Sequence, residues 1–226
     1  MTEQFIIPLV FGSGRVGRVE TDFSDRSDLV IVMPCATTGT TDQLLSEVSQ
    51  VFQRRNFDIA KVAIPDHASL PRDDTFPNLL ASDAADILNF AITCADYRSV
   101  WLIGGAYGSL ALGKALPQFD FPLDRISCVW LSPPLQGTSL PDELLSTPVT
   151  SLVVVDQNDP DAPGRVTRKL KAQQHITVCR VDGLKSHALG SNDLLHSIKQ
   201  AKRIVSSWVG RVVKSQCRAS HPAFHD

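Results

Sequence analysis

A chain of 226 residues with 43% hydrophobic and 20% charged side chains has the make-up of one ordinary globular domain. Its formal net charge of −2 excludes the basic footprint of a nucleic-acid binder, and no apolar run approaches the ~20 residues that a membrane-spanning helix needs. The opening MTEQFIIPLVFGSGR has an acid at position 3 and no basic segment before its short apolar run, which argues against a signal peptide and for a cytoplasmic protein.

The first two strand-like segments, FIIPLVF and RVGRVETDF, are separated by too few residues for a crossover helix, so they read as an antiparallel hairpin on a sheet edge. Their turn contains Gly12-Ser13-Gly14-Arg15-Val16-Gly17, a match to the dinucleotide fingerprint G-x-G-x-x-G. That fingerprint needs a helix N-terminus facing the pyrophosphate and an acid about 20 residues later. Here a strand-like alternation follows and CATTGTT (35–41) holds no acid, so hairpin glycines explain the match.

Six more strands are predicted at DLVIVMP (28–34), DIAKVAI (58–64), SVWLIG (99–104), RISCVWL (125–131), SLVVVD (151–156) and ITVCRV (176–181). They are nearly continuous in Val, Ile and Leu, as strands covered on both faces should be. Between them, a 3.6-residue apolar spacing marks helices in DQLLSEVSQVFQRR, LLASDAADILNFAITCADY, LALGKAL and PGRVTRKLKAQQ. A last helix is predicted over SNDLLHSIKQAKRIVSSWVGRVV. It sets Leu194, Ile198, Val205, Trp208 and Val212 on one face and leaves Lys199, Lys202, Arg203 and Arg211 in water, where they read as a solvated surface. This alternation implies an α/β protein, a mostly parallel sheet with helices on both faces and the antiparallel hairpin at its start. The domain is expected to span 1–213, with a loosely attached tail over 214–226.

The five cysteines are scattered and odd in number without C-x-x-C spacing, so neither a zinc site nor a disulfide framework is indicated, and they read as reduced, mostly buried thiols. His175, His196, His221 and His225 lack metal-ligand spacing, and no metal or cofactor is implied.

The chemistry concentrates in SVWLIGGAYGSLALGKAL. In the nucleophile-elbow motif G-x-S-x-G, a strand turns sharply into a helix at a strained apex, and the residues two before and two after it must be small. Gly104 and Gly108 hold those positions, and the apex is Ala106. Downstream, SLVVVDQNDPDAP sets Asp159 just beyond a buried strand, with Asp156 and Asp161 as rivals. ITVCRVDGLKSHALGS then sets His187 in the loop after the next strand. The order apex, acid, histidine is that of the α/β-hydrolases.

On VWLIGGAYGS, VVVDQNDPDAP and GLKSHALG, together with the hairpin start, residues 5 to 213 resemble the α/β-hydrolase superfamily. The resemblance implies a single-domain α/β-hydrolase fold and hydrolysis of a small-molecule ester, thioester or lactone. By position it makes His187 the base, Asp159 the acid that orients it, and the N–H of Tyr107 one oxyanion donor. The second donor would come from Cys35-Ala36, where relatives often carry His-Gly. Cys35 as a substitute nucleophile has no motif tying it to His187 and reads as inert, and Ser109 reads as a small packing residue. The segment SPPLQGTSLPDELLSTPVT leaves room for a short helix and not for a cap domain, so the site should be open. The loop IPDHASLPRDDTFPN (64–78), with His67, is the candidate for substrate contact.

Alanine cannot attack a carbonyl, so two readings stand side by side. In one, the chain is a hydrolase disarmed at Ala106. In the other, it is a non-hydrolytic member that binds a small molecule or uses His187 and Asp159 as an acid–base pair.

Overall fold

The computed structural model describes residues 5–10, 16–21, 24, 26–34, 40–63, 76–184 and 192–219. Its strands are β1 (Phe5–Val10), β2 (Val16–Thr21), β3 (Asp28–Met33), β4 (Asp58–Ala63), β5 (Ser99–Gly105), β6 (Ile126–Leu131), β7 (Thr150–Asp156) and β8 (Ile176–Val181). They form one eight-stranded sheet in the order β1-β2-β4-β3-β5-β6-β7-β8. The hairpin is antiparallel, with Phe5 opposite Thr21, and β2 joins β4 antiparallel as well. From β4 onward every pairing is parallel.

Among the described residues six α-helices complete the layers: α1 (Thr40–Gln53), α2 (Phe76–Ile92), α3 (Tyr107–Ala115), α4 (Leu140–Ser146), α5 (Gly164–Lys171) and α6 (Asn192–Ala219). The two-residue period of a strand decides which layer each side chain meets. In β3, Leu29, Ile31 and Met33 pack with α2 and α3, while Val30 and Val32 pack with α1 and α6. Both faces are covered, which is why β5 and β6 are buried along their whole length. Under α1 and α6 the core is aromatic, with Trp101 edge-on to Phe52, Phe57 and Trp208 at centroid distances of 5.4, 5.9 and 5.7 Å. Edge-to-face pairs set the negative face of one ring against the positive edge of its neighbour.

Polar groups at the sheet's lower end are matched. The fully buried Asp58 accepts from the Ser24 N–H at 2.9 Å and from the Tyr97 hydroxyl at 3.2 Å, and Arg26 Nε lies 3.8 Å away. A carboxylate in that setting is tolerable only because its lone pairs are engaged.

Three details depart from expectation. Helix α3 begins at Tyr107, ahead of the apolar run LALGKAL. Helix α6 runs on to Ala219, past the boundary expected at 213. Among the described cysteines, Cys128 is buried, Cys179 half-buried and Cys94 exposed, so the expectation of mostly buried thiols does not hold there. The connection from β6 to β7 carries only the seven-residue α4. No helix among the described residues is long and apolar enough to cross a membrane.

Candidate active site

Every parallel strand delivers its C-terminal end to the same edge of the sheet, where loops can carry chemistry on a rigid base. Register brings the relevant ends side by side, with Met33 opposite Gly104, Gly105 opposite Leu131, and Asp156 opposite Val181.

At the end of β5 the chain reverses into α3 through Ala106, which has φ 44° and ψ −115°. An L-residue with a β-carbon rarely adopts that conformation, and holding it there costs about 1–3 kcal/mol. Its amide donates to the Leu131 carbonyl at 3.0 Å and its own carbonyl accepts from the Ser109 N–H at 3.0 Å, so both sides of the turn are tied down. The flanking glycines explain how the turn closes. A β-carbon on Gly104 would lie 2.7 Å from Ser109 Cα and 2.8 Å from Ser109 N. One on Gly108 would lie 2.5 Å from the Pro34 carbonyl oxygen and 2.8 Å from that of Met33. Helix α3 therefore rests directly on the backbone at the end of β3. Tyr107, next after the apex, is half-buried, and Ser109 is fully buried, as a packing residue should be.

Beyond β7, two carboxylates are buried and one is exposed. Asp156 and Asp159 are 5% and 6% exposed, whereas Asp161 faces water. Asp156 Oδ1 accepts from the Asn158 N–H at 2.9 Å, and Asp159 Oδ1 accepts from the Asp161 N–H at 2.8 Å, two successive side-chain-to-backbone turns. The Asp161 carbonyl accepts from the Leu135 N–H at 3.0 Å, which ties this loop to the one after β6. Burial thus sets Asp161 apart and leaves Asp156 and Asp159 as the two carboxylates in this loop that are shielded from water.

Arg180 was not singled out by sequence. It reaches from β8 to donate to the Gln157 carbonyl at 2.8 Å, the Ala162 carbonyl at 3.1 Å and Thr167 Oγ1 at 3.0 Å. One guanidinium thereby spans the whole loop that carries Asp159. The nearest sequence signal is an arginine inside an otherwise apolar strand, ITVCRV.

After β8 the chain turns through Gly183, with φ 74°, and Leu184 is buried. The Ser197 hydroxyl donates to the carbonyls of Asp182 and Asp193, so the first turns of α6 are pinned to the end of β8. Asn158 Nδ2 donates to Asp182 Oδ1 at 3.4 Å, which joins the loops after β7 and β8. His187 lies between these pinned ends and outside the described residues. Cys35, Ala36 and His67 lie outside them as well, as do most of the predicted substrate loop and the first four residues of the Gly12–Gly17 match.

Strand order, hairpin and helix layers together define an α/β-hydrolase fold. No family model matches the chain, and no curated protein matches it. Solved structures do. A lidless α/β serine hydrolase from Xanthomonas campestris superposes with a TM-score of 0.66 at 14% identity, over 100% of this chain and 98% of its own. The esterase Est1E from Butyrivibrio proteoclasticus gives 0.68 at 10% identity, over 92% and 99%. A protein of unknown function from Agrobacterium tumefaciens, described as a candidate α/β hydrolase, gives 0.68 at 15% identity, over 93% and 97%. At such identities the likeness speaks for the fold.

Proposed function

We propose that this chain is a small, lidless α/β-hydrolase of the esterase, thioesterase or lactonase type whose nucleophile position is held by Ala106. The observation that carries the reading is the apex backbone, held at φ 44° between two glycines that tolerate no side chain. Structural neighbours that are serine hydrolases and esterases support the same class. His187 is the base, Asp159 its orienting acid, the Tyr107 N–H one oxyanion donor and the Cys35-Ala36 segment the other. Among the described residues the connection from β6 to β7 carries only α4, which supports an uncapped site that a small-molecule ester reaches from open solvent.

With a serine at position 106, its oxygen attacks the carbonyl carbon while His187 takes the proton. The tetrahedral oxyanion is held by the backbone N–H groups. Collapse expels the alcohol or thiol, which leaves with the proton from His187, and water repeats the sequence on the acyl group. With alanine the first bond cannot form, and such a loss typically costs about a millionfold in turnover.

The alanine itself favours a second reading, a non-hydrolytic protein that binds a small molecule or uses His187 and Asp159 without a covalent intermediate. Ala106→Ser separates them through hydrolysis of short-chain p-nitrophenyl esters and labelling by a fluorophosphonate. The proposal expects turnover and labelling in the serine form alone. Silence in both forms overturns it in favour of binding. Turnover by the alanine form that disappears in His187→Ala overturns it in favour of acid–base chemistry.

A further inference from the structure

Away from the strand ends, α1 and α6 lie side by side on one face of the sheet and enclose a cavity of about 510 Å³. Its lining is Val51, Arg54, Arg55, Lys199, Lys202, Arg203 and Ser206. Five of these are cationic, in a chain whose net charge is −2. Sequence alone showed only the α6 half, which read as a solvated face. The fold adds Arg54 and Arg55 from the turn that follows α1 and turns that stripe into two basic walls over the buried Val51.

Glu47 offsets part of this charge, through a direct pair with Lys202 and at longer range on Arg54. Lys202 donates to Glu47 Oε2 at 2.6 Å and to Gln50 Oε1 at 2.9 Å. Arg54, Lys199 and Arg203 make no ion pair among the described residues. Arg55 is held in place: its Nη2 donates to the Ser206 carbonyl at 2.9 Å and lies 3.2 Å from where a Gly210 β-carbon would sit. Gly210, without a side chain, leaves room for that guanidinium to lie against the α6 backbone. Several like charges gathered around one concavity repel each other, and the repulsion is relieved by a bound anion.

We propose that this groove binds a small polyphosphate-bearing ligand. Cations from both sides face one groove of small-ligand size, which favours a compact multivalent anion over an acidic peptide. Arginine's planar fork matches phosphate oxygens two at a time, and the lysines add point charge.

Isothermal titration of the full chain with sodium tripolyphosphate, ATP and hexaglutamate, at low and near-physiological salt, tests this. Saturable binding of tripolyphosphate or ATP at submillimolar concentration is expected, weaker at higher salt. Removing two contacts in Lys199→Ala/Arg203→Ala should weaken it by about ten- to a hundredfold, as for lost charge-assisted hydrogen bonds. Both residues are exposed on α6, so an unchanged thermal midpoint confirms that the variant is folded. Equal affinity for both ligands identifies the phosphate chain as the recognised group, and tighter ATP binding adds the nucleoside. No saturable heat from either, heat unchanged in the double variant, or tighter binding of hexaglutamate overturns the proposal.

Discussion

Replacing Gly108 with alanine places a methyl group where the fold has no room. The new β-carbon would sit 2.5 Å from the Pro34 oxygen and 2.8 Å from the Met33 oxygen, against 3.4 Å for ordinary contact. It is therefore about 0.9 Å and 0.6 Å too close to two backbone atoms. Neither can swing away as a side-chain tip could. Met33 is locked opposite Gly104 in the β3–β5 pairing, so relief requires α3 to lift or the sheet to part. Overpacking of this kind costs about 1–3 kcal/mol, partly offset by alanine's better helix propensity, worth up to about 1 kcal/mol. The net expectation is about 1 kcal/mol of destabilisation, or a fall of roughly 2–4 °C in Tm for a domain of this size. Urea and thermal unfolding measure it. Gly164→Ala is the control, because nothing lies within 4 Å of its β-carbon, and it should leave stability unchanged or slightly raised. Gly108→Ala unfolding together with its parent, or with the control, would refute the close approach of α3 to β3.

Ala106→Gly relieves the φ 44° backbone and should stabilise by about 1 kcal/mol, the strain of about 1–3 kcal/mol less glycine's entropic penalty of about 0.5–1 kcal/mol. A lower Tm would contradict the strain. Arg180→Ala removes three hydrogen bonds to the loop of Asp159 and should cost about 1–2 kcal/mol in urea unfolding. Placed on Ala106→Ser, it should lower kcat of ester hydrolysis and leave KM little changed. The hydrogen bond from Lys202 holds the Glu47 carboxyl below its ordinary value against the opposing effect of burial, helped to a lesser degree by the Lys202 charge, Gln50 and the Arg54 charge. A depressed folded-state value means stability fully present above the unfolded value near 4.5 and lost as pH falls through the folded one. Urea midpoints should thus favour the parent over Glu47→Gln at neutral pH by less than about 1 kcal/mol, since the pair is partly exposed. That gap should close as pH falls below 4.5 and through the depressed folded-state value.

The strands were legible because burial on both faces writes an unbroken apolar run. Observed ends such as Asp28–Met33 and Ile176–Val181 fall within a residue of those runs. The start of α3 was less legible, since Tyr107, Gly108 and Ser109 carry little helical preference and are helical because of what they pack against. Ala106 could be found from glycine spacing alone, for the reason the Gly104 and Gly108 contacts now give. Spacing favours Asp159 over its rivals Asp156 and Asp161. Burial removes Asp161, but Asp156 and Asp159 build the same local turn. Arg180 and the basic groove were hidden for a common reason. Their partners are backbone carbonyls in one case and a helix about 150 residues away in the other, and neither leaves a pattern in a local window.

Strain at Ala106 and burial of Asp159 bear differently on the proposed activity. The turn is imposed by packing: α3 sits on the end of β3, and Gly104 and Gly108 permit it whatever side chain occupies the apex. Exchanging a serine for alanine there deletes one oxygen and leaves the backbone in attack-ready form. The strained conformation therefore outlasts the chemistry, and the Ala106→Ser variant separates a disarmed enzyme from a binding protein. A carboxylate excluded from water is costly unless its oxygens are engaged, and Asp159 Oδ1 accepts from the Asp161 N–H at 2.8 Å. Activity in Ala106→Ser therefore depends on the rest of the proposed machinery, Asp159 with His187 and the oxyanion donors, because the turn is already in place.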